Sequence, residues 1–91
     1  MSVIYVIDDD DQLRTSFHKL LTEEGYEVRE AASGETGLAM IRTHLPDLVI
    51  LDIRLPGMNG LKVYQVIRQI DSKLPVIIMN ALGHAWTLET L

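Results

Sequence analysis

Val3-Ile4-Tyr5-Val6-Ile7-Asp8-Asp9-Asp10-Asp11, at the start of the chain, is the stretch that decides the fold. Five apolar residues in succession, with no polar position between them, read as a strand buried on both faces, the kind that parallel sheets contain. A second run, Leu48-Val49-Ile50-Leu51, likewise ends on an acid, Asp52. If the two strands are neighbours, their carboxyl ends open on one crevice, which is where open α/β sheets bind ligands. Clustered carboxylates repel one another unless a cation lies among them. The pattern therefore points to a hard-cation site with one aspartate left free to react.

Outward from the first run, Leu13, Phe17, Leu20 and Leu21 fall at helical spacing and make an apolar stripe. Asp10 or Asp11 is placed to cap that helix, and Gly25 to stop it. Tyr26 to Ala31 alternates, as a short strand with one polar face does. Ser33 is placed as the N-cap of a second helix carrying Leu38, Met40, Ile41 and Leu45, which Pro46-Asp47 breaks. Beyond Asp52, Ile53 to Gly60 is a loop by its glycines and proline. A third helix follows, with Leu61, Tyr64, Ile67 and Ile70 at intervals of three and Tyr64 on its inner face. Asp71-Ser72-Lys73 connects it to Pro75-Val76-Ile77-Ile78-Met79, another strand of the buried type. Ala85 to Leu91 reads as the first turns of a fourth helix that the chain does not finish. The order β-α-β-α-β-α-β plus this stub implies an α/β fold, a parallel sheet with helices on both faces.

The 91 residues suffice for one small domain and not for two. Thirteen acids against 8 bases leave a formal charge of −5, and without a basic stripe this segment is not expected to grip nucleic acid. With no cysteine there is neither a disulfide framework nor a thiolate metal site. No signal-peptide pattern and no bilayer-length apolar run is present, so a soluble cytoplasmic protein without a membrane partner is expected. His18, His44 and His84 show no ligand spacing and are expected at the surface. Met40, Met58 and Met79 read as core or loop filler. Trp86, in the unfinished helix, is expected to pack against a partner chain.

Several stretches together resemble the receiver domain of two-component response regulators. They are Val6-Ile7-Asp8-Asp9-Asp10 with Leu13-Arg14 behind it, Gly25-Tyr26-Glu27-Val28, Ala32-Ser33-Gly34-Glu35 and Pro46-Asp47-Leu48-Val49-Ile50-Leu51-Asp52. Leu55-Pro56-Gly57-Met58-Asn59-Gly60 and Leu74-Pro75-Val76-Ile77-Ile78-Met79 complete the set. The wording from Ile53 to Met58 looks most like receivers attached to sigma-54-type transcriptional activators. The resemblance covers essentially every residue. It implies a flavodoxin-like (CheY-like) doubly wound parallel sheet, truncated after the fourth strand and the start of the fourth helix, so that residues 1–91 form one incomplete receiver.

The resemblance also implies roles. Asp52 is the phosphoacceptor, attacking the phosphohistidine of a sensor histidine kinase. Asp8, Asp9, Asp52 and the backbone carbonyl of Arg54 hold Mg²⁺, the cofactor. This agrees with the preference of Mg²⁺ for oxygen ligands and for one or two carboxylates beside a phosphate. The domain is not an independent enzyme and controls association or an attached transcriptional output.

Two departures from the family pattern stand out. Asn80 occupies the switch position, where Thr or Ser is expected to contact the phosphate. No lysine matches the one that pairs with the phosphoryl group, since Lys19, Lys62 and Lys73 lie on the first helix, the third helix and a connection. In the family's strand order 2-1-3-4-5, the stop at Leu91 leaves Val76 to Met79 as an open apolar edge. A homodimer through that edge, or an exchanged segment, is expected. The departures favour the alternative, a degenerate receiver serving as a phosphorylation-independent dimerisation or interaction module. A small hydrolase using the same carboxylates ranks lower, for want of a general acid.

Overall fold

The computed structural model describes residues 2–55, 57–80 and 85–89. In chain order the elements are β1 (Val3–Ile7), α1 (Asp11–Glu23), β2 (Glu27–Ala31), α2 (Gly34–Thr43), β3 (Leu48–Asp52), α3 (Gly60–Ile70), β4 (Val76–Asn80) and β5 (Ala85–Glu89). The sheet order is β2-β1-β3-β4-β5, with the first four strands parallel. That is the flavodoxin-like arrangement expected from the resemblance.

Period-two alternation divides the apolar runs between two layers. Tyr5 and Ile7 of β1, Val49 and Leu51 of β3 and Val76 of β4 face one side, where Leu38 and Ile41 of α2 and Val63 and Ile67 of α3 close over them. Ile4, Val6, Ile50 and Met79 face the other side, against Phe17 and Leu21 of α1. A strand buried on both faces needs an apolar residue at every position, which is why these runs are unbroken.

The local stop and start signals act as their chemistry requires. The Asp10 side chain accepts from the N–H groups of Gln12 and Leu13 and caps α1. Ser33 does the same for α2 through Thr36, and Asn59 for α3 through Leu61. Gly25 ends the first helical segment with φ +93°, a conformation in which a Cβ is strained.

Three expectations need correction. Ala85–Glu89 is not the start of a helix but a strand, antiparallel to β4, with Met79 opposite Trp86 and Ile77 opposite Leu88. A parallel return needs a crossover of about a dozen residues or more; only residues 81–84 separate the two strands, so an antiparallel partner is what the chain can supply. Trp and Thr also prefer strands to helices. Second, the outer edge of β4 is therefore not open: the chain's own β5 pairs with it, and dimerisation or segment exchange through that edge loses its premise.

Third, the apolar stripes are partly misassigned. No residue of α1 is fully buried, and Leu13 and Leu20 are 38% and 59% exposed. In α3 the inner face is Val63 and Ile67, whereas Leu61 is 48% exposed. Leu45 lies beyond the end of α2 and is exposed. Met79 is buried and Met40 and Met58 pack against the core, as expected; His18 and His44 are exposed. His84 lies outside the described residues, as does the side chain of Trp86. No helix among the described residues is long and apolar enough to cross a membrane.

The corrected face of α3 has a measurable consequence. Ile67→Ala is expected to lower stability by about 2–5 kcal/mol through lost burial and a residual cavity, and Leu61→Ala by less than about 0.5 kcal/mol. Urea unfolding of the two variants checks this; equal losses would contradict the burial pattern.

Candidate functional site

The parallel register of β1 and β3 places Ile7 beside Leu51. The residue after each is an aspartate, Asp8 just past the end of β1 and Asp52 at the end of β3, so strand pairing sets two carboxylates side by side at the carboxyl edge of the sheet. Asp9 joins them from the turn into α1. One carboxylate oxygen from each of Asp8, Asp9 and Asp52 lies within 4.8 Å of the others. Asp8 is 0% exposed and Asp52 is buried, while Asp9 faces solvent.

The four consecutive aspartates divide their work. Asp8 and Asp9 turn toward Asp52. Asp10 caps α1, accepting from Gln12 at 2.9 Å and from Leu13 at 3.1 Å. Asp11 pairs with the Arg14 guanidinium. Acids at a helix N-terminus are stabilised by the helix dipole, and for Asp10 and Asp11 that ordinary role is the observed one.

Asp8 is held tightly. Its N–H donates to the Ala31 carbonyl at 3.0 Å, its carbonyl accepts from Arg14 Nη1 at 2.6 Å, and its Oδ1 accepts from the Asp10 N–H at 2.8 Å. Its Oδ2 is buried and has no hydrogen-bond partner among the described residues. Asp52 Oδ1 accepts from the Arg54 N–H at 2.9 Å. Burial drives the Asp8 pKa up from its ordinary 3.8 to about 6. The Asp10 N–H works against that rise, and the nearby charges of Asp52, Asp9 and Asp10 add to it.

A buried anionic oxygen without a donor is costly in a folded protein. An all-oxygen donor set around it suits a hard divalent cation such as Mg²⁺. A depression of about 600 Å³ lies next to the cluster, lined by Asp9, Ile53, Arg54, Leu55, Gly57 and Asn59.

Of the residues singled out in the sequence, Asp8, Asp9 and Asp52 come together, and Arg54 follows Asp52 with its N–H on that carboxylate. Asn80 is the last residue of β4; its side chain, and with it the expected phosphate contact, lies outside the described residues.

Two supporting residues were quoted only within the family-like stretches, with no role given to them. Gly60 lets α3 start directly against the site: a Cβ there would lie 2.4 Å from the Asp52 carbonyl oxygen and 2.4 Å from Ile53 Cα. The Gly60 N–H donates to the Ile53 carbonyl at 3.0 Å. The Asn59-Gly60 pair, a cap followed by the one residue without a side chain, was the available signal. Arg14, quoted above behind the run of acids, is the other, and its position three residues after Asp11 was the available signal for that ion pair.

Known proteins agree with this architecture. The family model described as the response regulator receiver domain matches residues 4–90. Transcriptional regulatory protein AfsQ1 of Streptomyces coelicolor is 44% identical over 81 residues, covering 89% of this chain and 36% of that protein. Sporulation initiation phosphotransferase F of Bacillus subtilis is 36% identical over 80 residues, covering 88% of this chain and 64% of that protein. This chain thus spans about a third of the first relative's length and under two thirds of the second's. The response regulator TrrA of Thermotoga maritima, solved in complex with Mg²⁺–BeF, superposes with a TM-score of 0.87 at 39% identity, covering 92% of this chain and 73% of that one. With the sheet order, the acid cluster and a family match over nearly the whole chain in agreement, the chain belongs to the response regulator receiver domain family.

Proposed function

We propose that this receiver takes a phosphoryl group from the phosphohistidine of a sensor histidine kinase onto Asp52, in the cytoplasm, with Mg²⁺ held by Asp8, Asp9, Asp52 and the backbone carbonyl of Arg54. The observation that carries the reading is the Asp8 carboxylate, grouped with those of Asp9 and Asp52 and keeping one buried oxygen, Oδ2, without a hydrogen-bond partner among the described residues. The output is a change in association or in an attached transcriptional domain.

The chain's own groups account for most of what the transfer needs. The Arg54 N–H holds Asp52 Oδ1 and leaves Oδ2 to form the new bond. As the P–O bond forms, the P–N bond to the donor imidazole breaks; the ring nitrogen keeps the electron pair and takes a proton, and Asp52 becomes an acyl phosphate. Bound Mg²⁺ supplies charge neutralisation for the phosphoryl oxygens and for the acids around them. Burial of Asp8 and Asp52 against β1 and β3 keeps the acceptor from swinging away, and the open depression beside Asp9 leaves room for the donor to approach.

The alternative of a phosphorylation-independent interaction module rests on Asn80 and on the lack of a matching lysine. It offers no physical reason for keeping an unpaired carboxylate oxygen in the interior, and is the weaker reading for that reason.

Two measurements test the proposal. The first uses the Asp8 proton. Because its folded-state pKa of about 6 lies above the ordinary 3.8, folding binds this proton more tightly. The group's favourable contribution is fully present below pH 3.8, is lost as the pH rises toward 6, and stays lost above it. At roughly 1.36 kcal/mol per tenfold change in proton affinity, the penalty at neutral pH is on the order of 3 kcal/mol. Metal-free Asp8→Asn is therefore expected to exceed the wild type in stability at neutral pH, with the gap closing toward pH 4. Mg²⁺ is expected to stabilise the wild type and not the variant. A gap that does not change with pH would count against the buried charge.

The second is the intact mass after incubation with Mg²⁺ and a small-molecule phosphodonor. One added phosphoryl group is expected, absent in Asp52→Asn. No adduct, under conditions that modify another receiver, would remove the acceptor role and leave the interaction module.

A further inference from the structure

Arg14 sits in the first turns of α1 with only 13% of its side chain exposed, and its guanidinium joins three parts of the fold. Nη1 donates to the carbonyl of Asp8 at 2.6 Å. Nη2 holds Asp11, on its own helix. Nε lies 3.3 Å from Glu30 Oε1 on β2, and the other oxygen of Glu30 is held by His18 Nδ1 at 2.9 Å. β2 is also the strand whose Ala31 carbonyl takes the Asp8 N–H. The Asp8 peptide is thus held on both sides, by Ala31 through its N–H and by Arg14 through its carbonyl.

We propose that Arg14 is the positioning residue of the acid pocket, its fork fixing the Asp8 peptide so that the Asp8 carboxylate stays beside those of Asp9 and Asp52. The inference rests on the Mg²⁺ reading above and adds to it a residue that touches neither metal nor phosphate.

The role belongs to geometry. With Oδ1 of Asp8 tied to the Asp10 N–H, the direction of Oδ2 depends on the main chain at Asp8 and Asp10. That main chain leaves the sheet at this point, since β1 ends at Ile7 and α1 begins at Asp11. Among the described residues no strand or helix ladder holds the carbonyl of Asp8; the guanidinium does. Burial opposes the charge of Arg14, but the carboxylates of Asp11 and Glu30 outweigh it and raise the guanidinium's pKa, so the fork stays fully protonated. A lysine in its place would bring one compact ammonium, which cannot meet three acceptors in a plane. Glu30 and His18 serve to hold the fork from the far side.

The test compares wild type, Arg14→Ala and Arg14→Lys in two readouts. Mg²⁺ affinity is measured by titration calorimetry at neutral pH, and hydrogen exchange of the Asp8 and Asp10 amides is followed by NMR in the metal-free protein. Arg14→Ala is expected to weaken Mg²⁺ binding about tenfold or more, the range found when a group orienting a metal ligand is removed. The two amides are expected to exchange faster while those of β3 and α3 keep their rates. Arg14→Lys retains the stem and the charge and is expected to leave most of both losses in place. If the alanine variant does not fold, the lysine variant carries the comparison.

Unchanged affinity and protection in Arg14→Ala, or full recovery in Arg14→Lys, would overturn the inference. A wild type that binds no Mg²⁺ would instead overturn the proposed function, and the exchange rates would still decide whether Arg14 fixes the Asp8 peptide.

Discussion

The structure depends on one pairing, that of β1 with β3. Setting Ile7 beside Leu51 in parallel register carries Asp8 and Asp52 to the same edge of the sheet and out of water together. Hydrophobic burial of the two strands is what drives the pairing, at roughly 25 cal/mol per Å² of apolar surface. The cost is a pair of buried acids whose charges oppose each other. Asp8 bears that cost visibly, with a pKa raised to about 6 and one oxygen that nothing among the described residues satisfies. A local conflict of this kind, inside an otherwise consistent fold, is where a functional site is expected.

The surrounding structure fixes the acids in place. Asp10 caps α1 and offers its N–H to Asp8. Arg14 reaches back from the helix to the Asp8 carbonyl. On the other side, Gly60 allows the start of α3 to press against the end of β3, so that Asp52 sits between a helix start and the neighbouring strand. Preorganisation of this sort matters more than the strength of any single contact, because an acceptor displaced by about 1 Å can lose two orders of magnitude in rate.

Much of this was readable in the chain before any coordinates. The unbroken runs from Val3 and from Leu48 read as strands buried twice over, and the acids after them had to meet if those strands were neighbours. Asp10 and Ser33 are caps because short polar side chains reach helix N–H groups that have no other partner; Asn59, read only as part of a loop, caps α3 in the same way. What escaped the reading depends on distant partners. Ala85–Glu89 leans toward a strand only through Trp86 and Thr87, and its pairing with β4 is what decides. Intervals of three in α3 chose Leu61, although the geometry of the helix turns Val63 inward with Ile67. Nothing in the spacing of Arg14 or Gly60 tells that one lies on a carbonyl of the acid pocket and the other against a neighbouring backbone. Such contacts exist only after the layers have closed.

The central claim is that Asp8, Asp9 and Asp52 form one site for a single hard cation. Amide NMR during a Mg²⁺ titration of the wild type tests it most directly. The account expects saturable, one-site shifts centred on residues 8–10 and 52–54, with the rest of the spectrum nearly still. Shifts that never saturate, or that spread over exposed acids such as Glu23, Glu24 and Glu35, would mean that the buried carboxylates do not make a metal site.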